Sequence, residues 1–169
     1  MHMTRCTKAV MVACLASFAA LVTLNNLLDY GANFAFVQHV LRMDTVFPDG
    51  TLRWRAIDVP LLWHLAYALI ILGEGLTAGL LAWGAGAMWR SRQRSAREFT
   101  QAKRYALAGV LAGFVVWFLG FMVVGAEWFL MWQSSQWNGQ ESAFRYYMTL
   151  LGVAIFINQP DTDDDDARA

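Results

Sequence analysis

The feature that most constrains this chain is the uncharged apolar run from Tyr105 to Ala126, which is long enough to cross a bilayer as a helix. Comparable runs begin near Ala9 and near Val59, and a shorter one follows Arg145. Only 15% of the residues are charged, against ~25% in typical soluble domains. The sequence therefore predicts an all-α integral membrane bundle of four transmembrane helices, at about residues 9–31, 60–89, 105–132 and 142–158.

The four helices are expected to form a single domain over residues 1–158, followed by an acidic tail over residues 159–169. The tail contains four consecutive aspartates, from Asp163 to Asp166, and offers no apolar segment to bury. It is therefore predicted to be disordered and cytoplasmic.

The first apolar run resembles a signal peptide in one respect, since Arg5 and Lys8 precede it. The uncharged run from Ala9 to Leu28 is longer than the ~7–15 residues of a signal core, however, which favours an uncleaved spanning helix. Cys6 and Cys14 have neither metal-site nor redox spacing and predict no disulfide framework.

Basic residues are concentrated on one side of the predicted membrane. Arg5 and Lys8 precede the first helix, and the loop from Arg90 to Arg104 is strongly basic. The positive-inside rule places both termini and this loop in the cytoplasm, in a multi-pass protein of the bacterial inner membrane. Formal net charge is zero and the basic cluster joins two spans, which disfavours a nucleic-acid partner. The expected partners are membrane lipids, with a membrane-protein partner or a second copy of the chain as further candidates.

The end of the first helix carries a polar pattern. Asn25, Asp29 and Asn33 recur at i, i+4 and i+8, while Asn26 and Tyr30 precede Asn33 at i, i+4 and i+7. Both sets form a stripe on a helix. Two interpretations stay open: an ordinary exit into the headgroup region, or a polar wedge that hydrogen-bonds partner helices.

The first outer loop, residues 34–60, is expected to be partly folded. Apolar residues from Phe34 to Met43 indicate a short helix at the membrane surface. Pro48, Asp49 and Gly50 predict a turn. Residues 52–57 alternate in part, which is typical of a short strand or an extended interfacial stretch.

Small residues predict how the helices pack. Gly109, Gly113, Gly120 and Glu127 share one face of a regular helix, so that glutamate is expected to point into protein rather than lipid. The second predicted helix has small residues on two sides and is expected in the middle of the bundle. One of these two sides carries the pair Gly75 and Gly79.

A cluster of polar residues inside the predicted membrane is the candidate functional site. Ionisable groups there are costly and usually functional, although a protonated acid can also serve only to hydrogen-bond another helix. Glu127 is expected to meet Asp29, Asn25 and His64 in the outer half of the bilayer. The members are Glu127, Glu74, Asp29, Asn25, Asn26 and His64.

Tryptophans are expected to form an aromatic rim at the outer level. An interfacial belt explains them first, and ligand stacking second. The rim comprises Trp54, Trp128, Trp132 and Trp137.

The sequence predicts no metal site and no cofactor. It has neither His-x-x-x-His nor Glu-x-x-His spacing, and a bis-histidine haem would need His39 to reach His64. The leading hypothesis is a non-enzymatic module that binds a protein partner or lipid on its outer side. The alternatives are a small proton- or ion-coupled transporter that uses Glu74 and Glu127, and a membrane enzyme or haem subunit.

Several stretches between Leu24 and Leu151 resemble a bacterial family of predicted small integral membrane proteins that carry a domain of unknown function. The resemblance implies a small multi-pass membrane protein and supplies no mechanism. The stretches are Asn25-Asn26 with Asp29-Tyr30 and Asn33, Val37 to Thr45, Trp54 to Ile57, Glu127 to Ser134, Trp137 to Gln140, and Ala143 to Arg145.

Overall fold

The computed structural model describes residues 2–162, and this part of the chain forms helices and turns but no strand. The predicted acidic run from Asp163 to Asp166 lies outside the described residues. The helices are α1 (His2–Leu28), α2 (Tyr30–Arg42), α3 (Pro60–Ser91), α4 (Ala96–Phe114), a π-helix that continues α4 (Val115–Trp128), and α5 (Gln140–Asn158), with short 3₁₀ turns at Arg53–Arg55 and Met131–Gln133.

Helix α3 occupies the middle of the bundle, as its two small-residue faces predict. It packs along α1 on one side and along α4 on the other. Leu81 and Met88 are completely buried at these contacts, and Tyr67 is almost completely buried nearer the start of the helix. Within residues 2–162, three helical stretches are long and apolar enough to cross a membrane: His2–Leu28, Pro60–Ser91 and Ala96–Trp128.

Two of the predicted packing glycines lie where another helix leaves no room for a side chain. A Cβ on Gly109 would lie 2.8 Å from Cγ of Leu81, and one on Gly113 would lie 2.6 Å from Cδ1 of Leu150. Both distances are shorter than van der Waals contact, so these glycines permit the close approach of α4 to α3 and α5.

Among the glycines, the tightest contact is made by one that the sequence did not single out. A Cβ on Gly84 would lie 2.4 Å from the backbone nitrogen of Ala106, so α3 and α4 meet here almost backbone to backbone. The predicted packing glycines on α3, Gly75 and Gly79, are less tightly packed. A Cβ on Gly75 would make an ordinary 3.6 Å contact with Thr23, and one on Gly79 would have no neighbour within 4 Å.

The prediction that Gly120 and Glu127 share the packed face of Gly109 is wrong. From residue 115 the helix is a π-helix, in which hydrogen bonds join residues five apart, as between the Phe129 N–H and the Val124 carbonyl at 3.0 Å. Each turn then holds more residues than an α-helical turn, so the spacing of seven no longer returns to one face. Gly120 and Glu127 are both exposed.

Buried lysines fasten the C-terminal end of α5 to α1 and α4. The Lys8 ammonium donates to the Gln159 carbonyl at 2.9 Å and to the Asp161 carboxylate at 3.0 Å. Lys103 donates to the same carbonyl at 3.1 Å and forms an ion pair with Asp161. Asp161, the first acid of the predicted tail, is therefore buried in an ion pair. We call this region, with Arg5 and the α3–α4 loop, the basic end.

The opposite end, which we call the loop end, consists of α2 and the two segments 43–59 and 129–139. Helix α2 follows α1 after a break at Asp29, whose backbone angles (φ −122°, ψ 64°) are not helical. The first segment folds back on α2, since the Ile57 N–H donates to the Leu41 carbonyl at 2.8 Å. Residues 52–57, whose partial alternation is typical of a short strand or an extended stretch, instead contain the 3₁₀ turn Arg53–Arg55.

We expect Gly84→Ala to destabilise the protein by about 1–3 kcal/mol, the usual cost of overfilling a packed core. The added methyl would collide with the Ala106 backbone, which cannot move without shifting α4. Thermal unfolding in detergent measures the effect.

Gly79→Ala is the matched control, because its methyl would meet nothing within 4 Å. Its stability should equal or slightly exceed that of the wild type, since alanine favours helix more than glycine. Equal melting temperatures for the two variants would show that α3 and α4 are not in backbone contact at Gly84.

Candidate functional site

The site begins with a hydrogen bond between two buried side chains on neighbouring helices. Asn26, near the end of α1, donates from Nδ2 to Oε2 of Glu74 in the middle of α3 at 2.7 Å. Both residues are at most 5% exposed. A buried carboxyl group is costly unless it is hydrogen-bonded, so this contact is the minimum that the burial of Glu74 requires.

Two further side chains donate hydrogen bonds to Asn26, one to its side-chain amide and one to its backbone. Asn33, on α2, donates from Nδ2 to Oδ1 of Asn26 at 2.6 Å. The Tyr67 hydroxyl donates to the backbone carbonyl of Asn26 at 3.4 Å. With its oxygen engaged by Asn33, the Asn26 amide directs its NH₂ group at Glu74, and the network joins α1, α2 and α3.

This polar network lines a partly open cavity of about 440 Å³. Glu74, Asn26 and Asn33 supply polar groups from one side, and Gln136, Asn138 and Ser142 supply others from the loop end and α5. The remaining lining residues are Phe18, Val22, Ala32, Phe36, Val37, Tyr67, Ile70, Trp117, Phe121, Trp137, Gly139, Ala143 and Tyr146.

Aromatic rings form much of the cavity wall, and they pack on one another. Trp117 and Tyr146 meet edge to face, with ring centres 4.1 Å apart, and Phe18 stacks on Tyr146 at 4.6 Å. Near the loop end, the Phe36 and Phe121 ring centres are 6.0 Å apart. Neighbouring rings hold each other in place, so the wall is preformed.

One polar atom in this wall has no partner. The Tyr146 hydroxyl is buried and forms no hydrogen bond within residues 2–162. Buried polar groups are nearly always hydrogen-bonded, so the unpaired hydroxyl of this cavity-lining residue is a candidate hydrogen-bonding group for a ligand. Tyr146 and Trp117 were not among the predicted site residues, because nothing in the sequence separates them from other aromatics in apolar runs.

An apolar groove of about 260 Å³ adjoins the cavity. Phe36, Val37, Ile70 and Phe121 line both, so the two spaces share a wall. Every residue that lines the groove is apolar; the others are Val40, Leu41, Ala66, Leu69, Gly120, Val124, Gly125, Phe129 and Met131.

A family model described as "Predicted small integral membrane protein (DUF2165)" matches residues 4–160. The chain belongs to this family. The match covers all five α-helices apart from the first two residues of α1, and with them every residue of the cavity and the groove. As the resemblance implied, this family member is an integral membrane protein. No curated protein and no solved structure matches the chain.

The structure divides the predicted polar cluster of this family member. Glu74 and Asn26 come together in the cavity, whereas Asn25 in α1 and Asp29 at the helix break are exposed. The two polar patterns at the end of the first helix therefore differ in their surroundings, since Asn26 is buried while Asn25 and Asp29 are exposed. The set that contains Asn26 and Asn33 faces the bundle, as a polar wedge does.

The expected meeting of Glu127 with His64 is wrong. Glu127 is exposed on the π-helix and makes no hydrogen bond or ion pair within residues 2–162. His64 lies 2.8 Å from the Tyr30 hydroxyl and stacks on Phe34. The physical reason is the π-helix, which turns Glu127 away from the packed face.

Three of the four rim tryptophans lie in the loop end and Trp128 directly precedes it, but only one of the four lines the cavity. Trp54 contacts Trp128 edge to face, with ring centres 6.3 Å apart, and Trp132 contacts Phe47. Trp137 lines the cavity and stacks on His39 at 4.6 Å.

We expect Asn26→Ala to lower stability by about 1 kcal/mol more than Asn25→Ala, the scale of an interhelical hydrogen bond in membranes. Loss of Asn26 leaves the Glu74 carboxyl buried without its donor. Unfolding in mixed detergents measures the difference.

Asn25→Ala is the control, because it removes the same side chain from an exposed neighbouring position. If both substitutions lower stability equally, Asn26 does not support Glu74.

Proposed function

We propose that this protein is a non-enzymatic membrane module that binds a single amphiphilic molecule of the membrane at its outer side. The polar headgroup occupies the cavity beside Glu74, and the apolar chain occupies the adjoining groove. The observation that carries this proposal is that the two spaces lie side by side and share four wall residues, Phe36, Val37, Ile70 and Phe121.

The chemistry of the two spaces supports an amphiphile over a wholly polar or wholly apolar ligand. The groove surface is almost entirely apolar, which suits an acyl or alkyl chain. The cavity combines apolar walls with a few convergent polar groups, the usual composition of a small-molecule site. A protein partner, the other member of the initial hypothesis, has less support, because the polar groups lie in a recess rather than on an exposed face.

The proposal includes four membrane spans with both termini in the cytoplasm of a bacterium. Helix α5 starts at the loop end, where Gly139 lies against Phe36 and Phe121, and finishes at the basic end, where Lys8 holds the Gln159 carbonyl. It therefore runs the length of the bundle, with Arg145 near its outer end. The concentration of lysine and arginine at the basic end favours its cytoplasmic placement.

Ion-coupled transport is the second candidate function. The observation that favours it is a buried carboxyl, Glu74, in a cavity within a membrane protein. Glu127, the other carboxyl that was expected to carry protons or ions, is exposed. Further along α3 from Glu74, Leu81 and Met88 are completely buried apolar residues. Proton flux through protein-containing liposomes distinguishes transport from binding.

Labelling with an impermeant thiol reagent tests the orientation. In a background with Cys6 and Cys14 replaced by serine, cysteines at Asp49 and Gln136 should react from outside intact cells, and one at Gln93 should not. All three positions are exposed, so burial does not explain a difference. Reaction at Gln93 in unbroken cells would invert the proposed topology.

Filling the groove tests the binding function. We expect Gly120→Leu to reduce the co-purification of an enriched amphiphile by roughly tenfold, because the new side chain occupies the groove and costs the ligand about 1–2 kcal/mol of apolar contact. The measurement is mass spectrometry of lipids retained in mild detergent, compared with their abundance in the source membrane.

Gly152→Leu is the matched control. Gly152 has no neighbour within 4 Å and lines neither the cavity nor the groove, so the leucine should leave retention unchanged. Equal retention by the two variants, or no enriched species in the wild type, would refute the proposed function.

A further inference from the structure

The cavity lining contains an acidic side chain but no basic one. Glu74 is the one acidic residue among the residues that surround the cavity, and none of those residues is lysine, arginine or histidine. Its carboxyl receives a single hydrogen bond within residues 2–162, from the neutral Asn26 amide. Buried charges in proteins are normally paired, so an ionised Glu74 needs a cation that the protein itself does not supply.

The walls around this carboxyl suit a cation. Seven aromatic residues line the cavity, among them Trp117, Tyr146 and Trp137. Aromatic faces attract ammonium groups, and cages of such rings are a common means of recognising amines and quaternary ammonium ligands. The lining thus combines a carboxyl with aromatic surface, the two groups that a bound ammonium requires.

The unpaired Tyr146 hydroxyl is an independent third observation. It is buried, belongs to a residue that lines the cavity, and has no hydrogen-bond partner within residues 2–162. As an acceptor it would receive an N–H bond from an amine. An anionic headgroup would instead meet the Glu74 carboxyl with no compensating cation in the lining.

Two basic residues of the loop end, His39 and Arg42 on α2, have partners outside the cavity. His39 stacks on Trp137 but lies 2.9 Å from the Asp44 carboxylate, and Arg42 forms an ion pair with Asp58 at 3.2 Å. Neither lines the cavity. They therefore do not supply the counter-charge for Glu74.

We propose that the cavity selects an amphiphile with a cationic amine or quaternary ammonium headgroup, which pairs with Glu74 inside the aromatic wall. This inference rests on the proposed function, since it assigns a headgroup to the ligand of the same cavity. The shared chemistry is an alkylammonium ion, whether it comes from a membrane amphiphile or from a free amine.

A headgroup competition tests the proposal. The purified protein is mixed with neutral maltoside micelles that contain equal amounts of oleylamine, oleyl alcohol and oleate, three molecules with similar chains and different charge. Mass spectrometry then measures what the protein retains after gel filtration. We expect oleylamine to exceed oleyl alcohol by roughly tenfold, and oleate to be retained least.

Glu74→Gln provides the decisive variant. Its side-chain oxygen can still accept the Asn26 hydrogen bond, so the fold is kept while the charge is removed. The preference for oleylamine should fall to about parity with oleyl alcohol. Glu127→Gln is the matched control, since it removes an exposed carboxyl outside the cavity and should leave the preference intact.

The outcomes separate this inference from the proposed function. Equal retention of all three molecules by the wild type overturns the cationic headgroup, even if Glu74→Gln does not fold. If Gly120→Leu then abolishes that retention, amphiphile binding still stands. If the wild type retains none of the three above the level of Gly120→Leu, amphiphile binding itself fails.

A competition with tetramethylammonium distinguishes the two sources of the ammonium group. A membrane amphiphile is supported if this short cation displaces oleylamine only at a large excess. If it displaces oleylamine at equal concentration, the ligand is a free amine: cation selection is upheld and the role of the groove is overturned.

Discussion

The hydrogen bond between Asn26 and Glu74 is the interaction on which the rest of the site depends. It joins α1 to the central helix α3 at a buried position, where an unpaired carboxyl would cost far more than a hydrogen bond returns. Asn33 can reach Asn26 because the chain breaks at Asp29 and begins α2 in a new direction. One buried acid thereby accounts for the paired amides of Asn26 and Asn33 and for the polar groups on their side of the cavity.

The close packing elsewhere in the bundle contrasts with the cavity at the loop end. At Gly84 and Gly109, α3 and α4 approach almost to backbone contact. At the basic end, Lys8 and Lys103 fix the end of α5 through Asp161. Near the loop end, large aromatic side chains line the cavity that lies between the helices.

The sequence predicted the features that depend on length and on regular helical spacing. Long apolar runs gave the helices, and the polar pattern at the end of the first helix singled out Asn26 and Asn33, although their contact depends on the break at Asp29. Gly109 and Gly113 share a face on a regular helix, and both pack against neighbouring helices. These features follow from local chain geometry, which the residues alone specify.

Other features depend on tertiary context and could not be predicted in this way. The residues from Val115 onward carry no sequence signal for a π-helix. The prediction that Gly120 and Glu127 lie on the packed face assumed a regular α-helix and was therefore wrong. Trp117 and Tyr146 carry no sequence signal that distinguishes a cavity wall from lipid-facing surface. Their role depends on which helices are neighbours, since Tyr146 meets Phe18 and Trp117 across three elements.

A density map of the protein isolated in mild detergent with its native lipids tests the central claim most directly. The account predicts elongated density that begins within hydrogen-bonding distance of the Glu74 carboxyl and Tyr146 hydroxyl and continues past Phe36 into the apolar groove. Well-ordered lipid density around the helices, with a cavity that holds nothing beside Glu74, would contradict it.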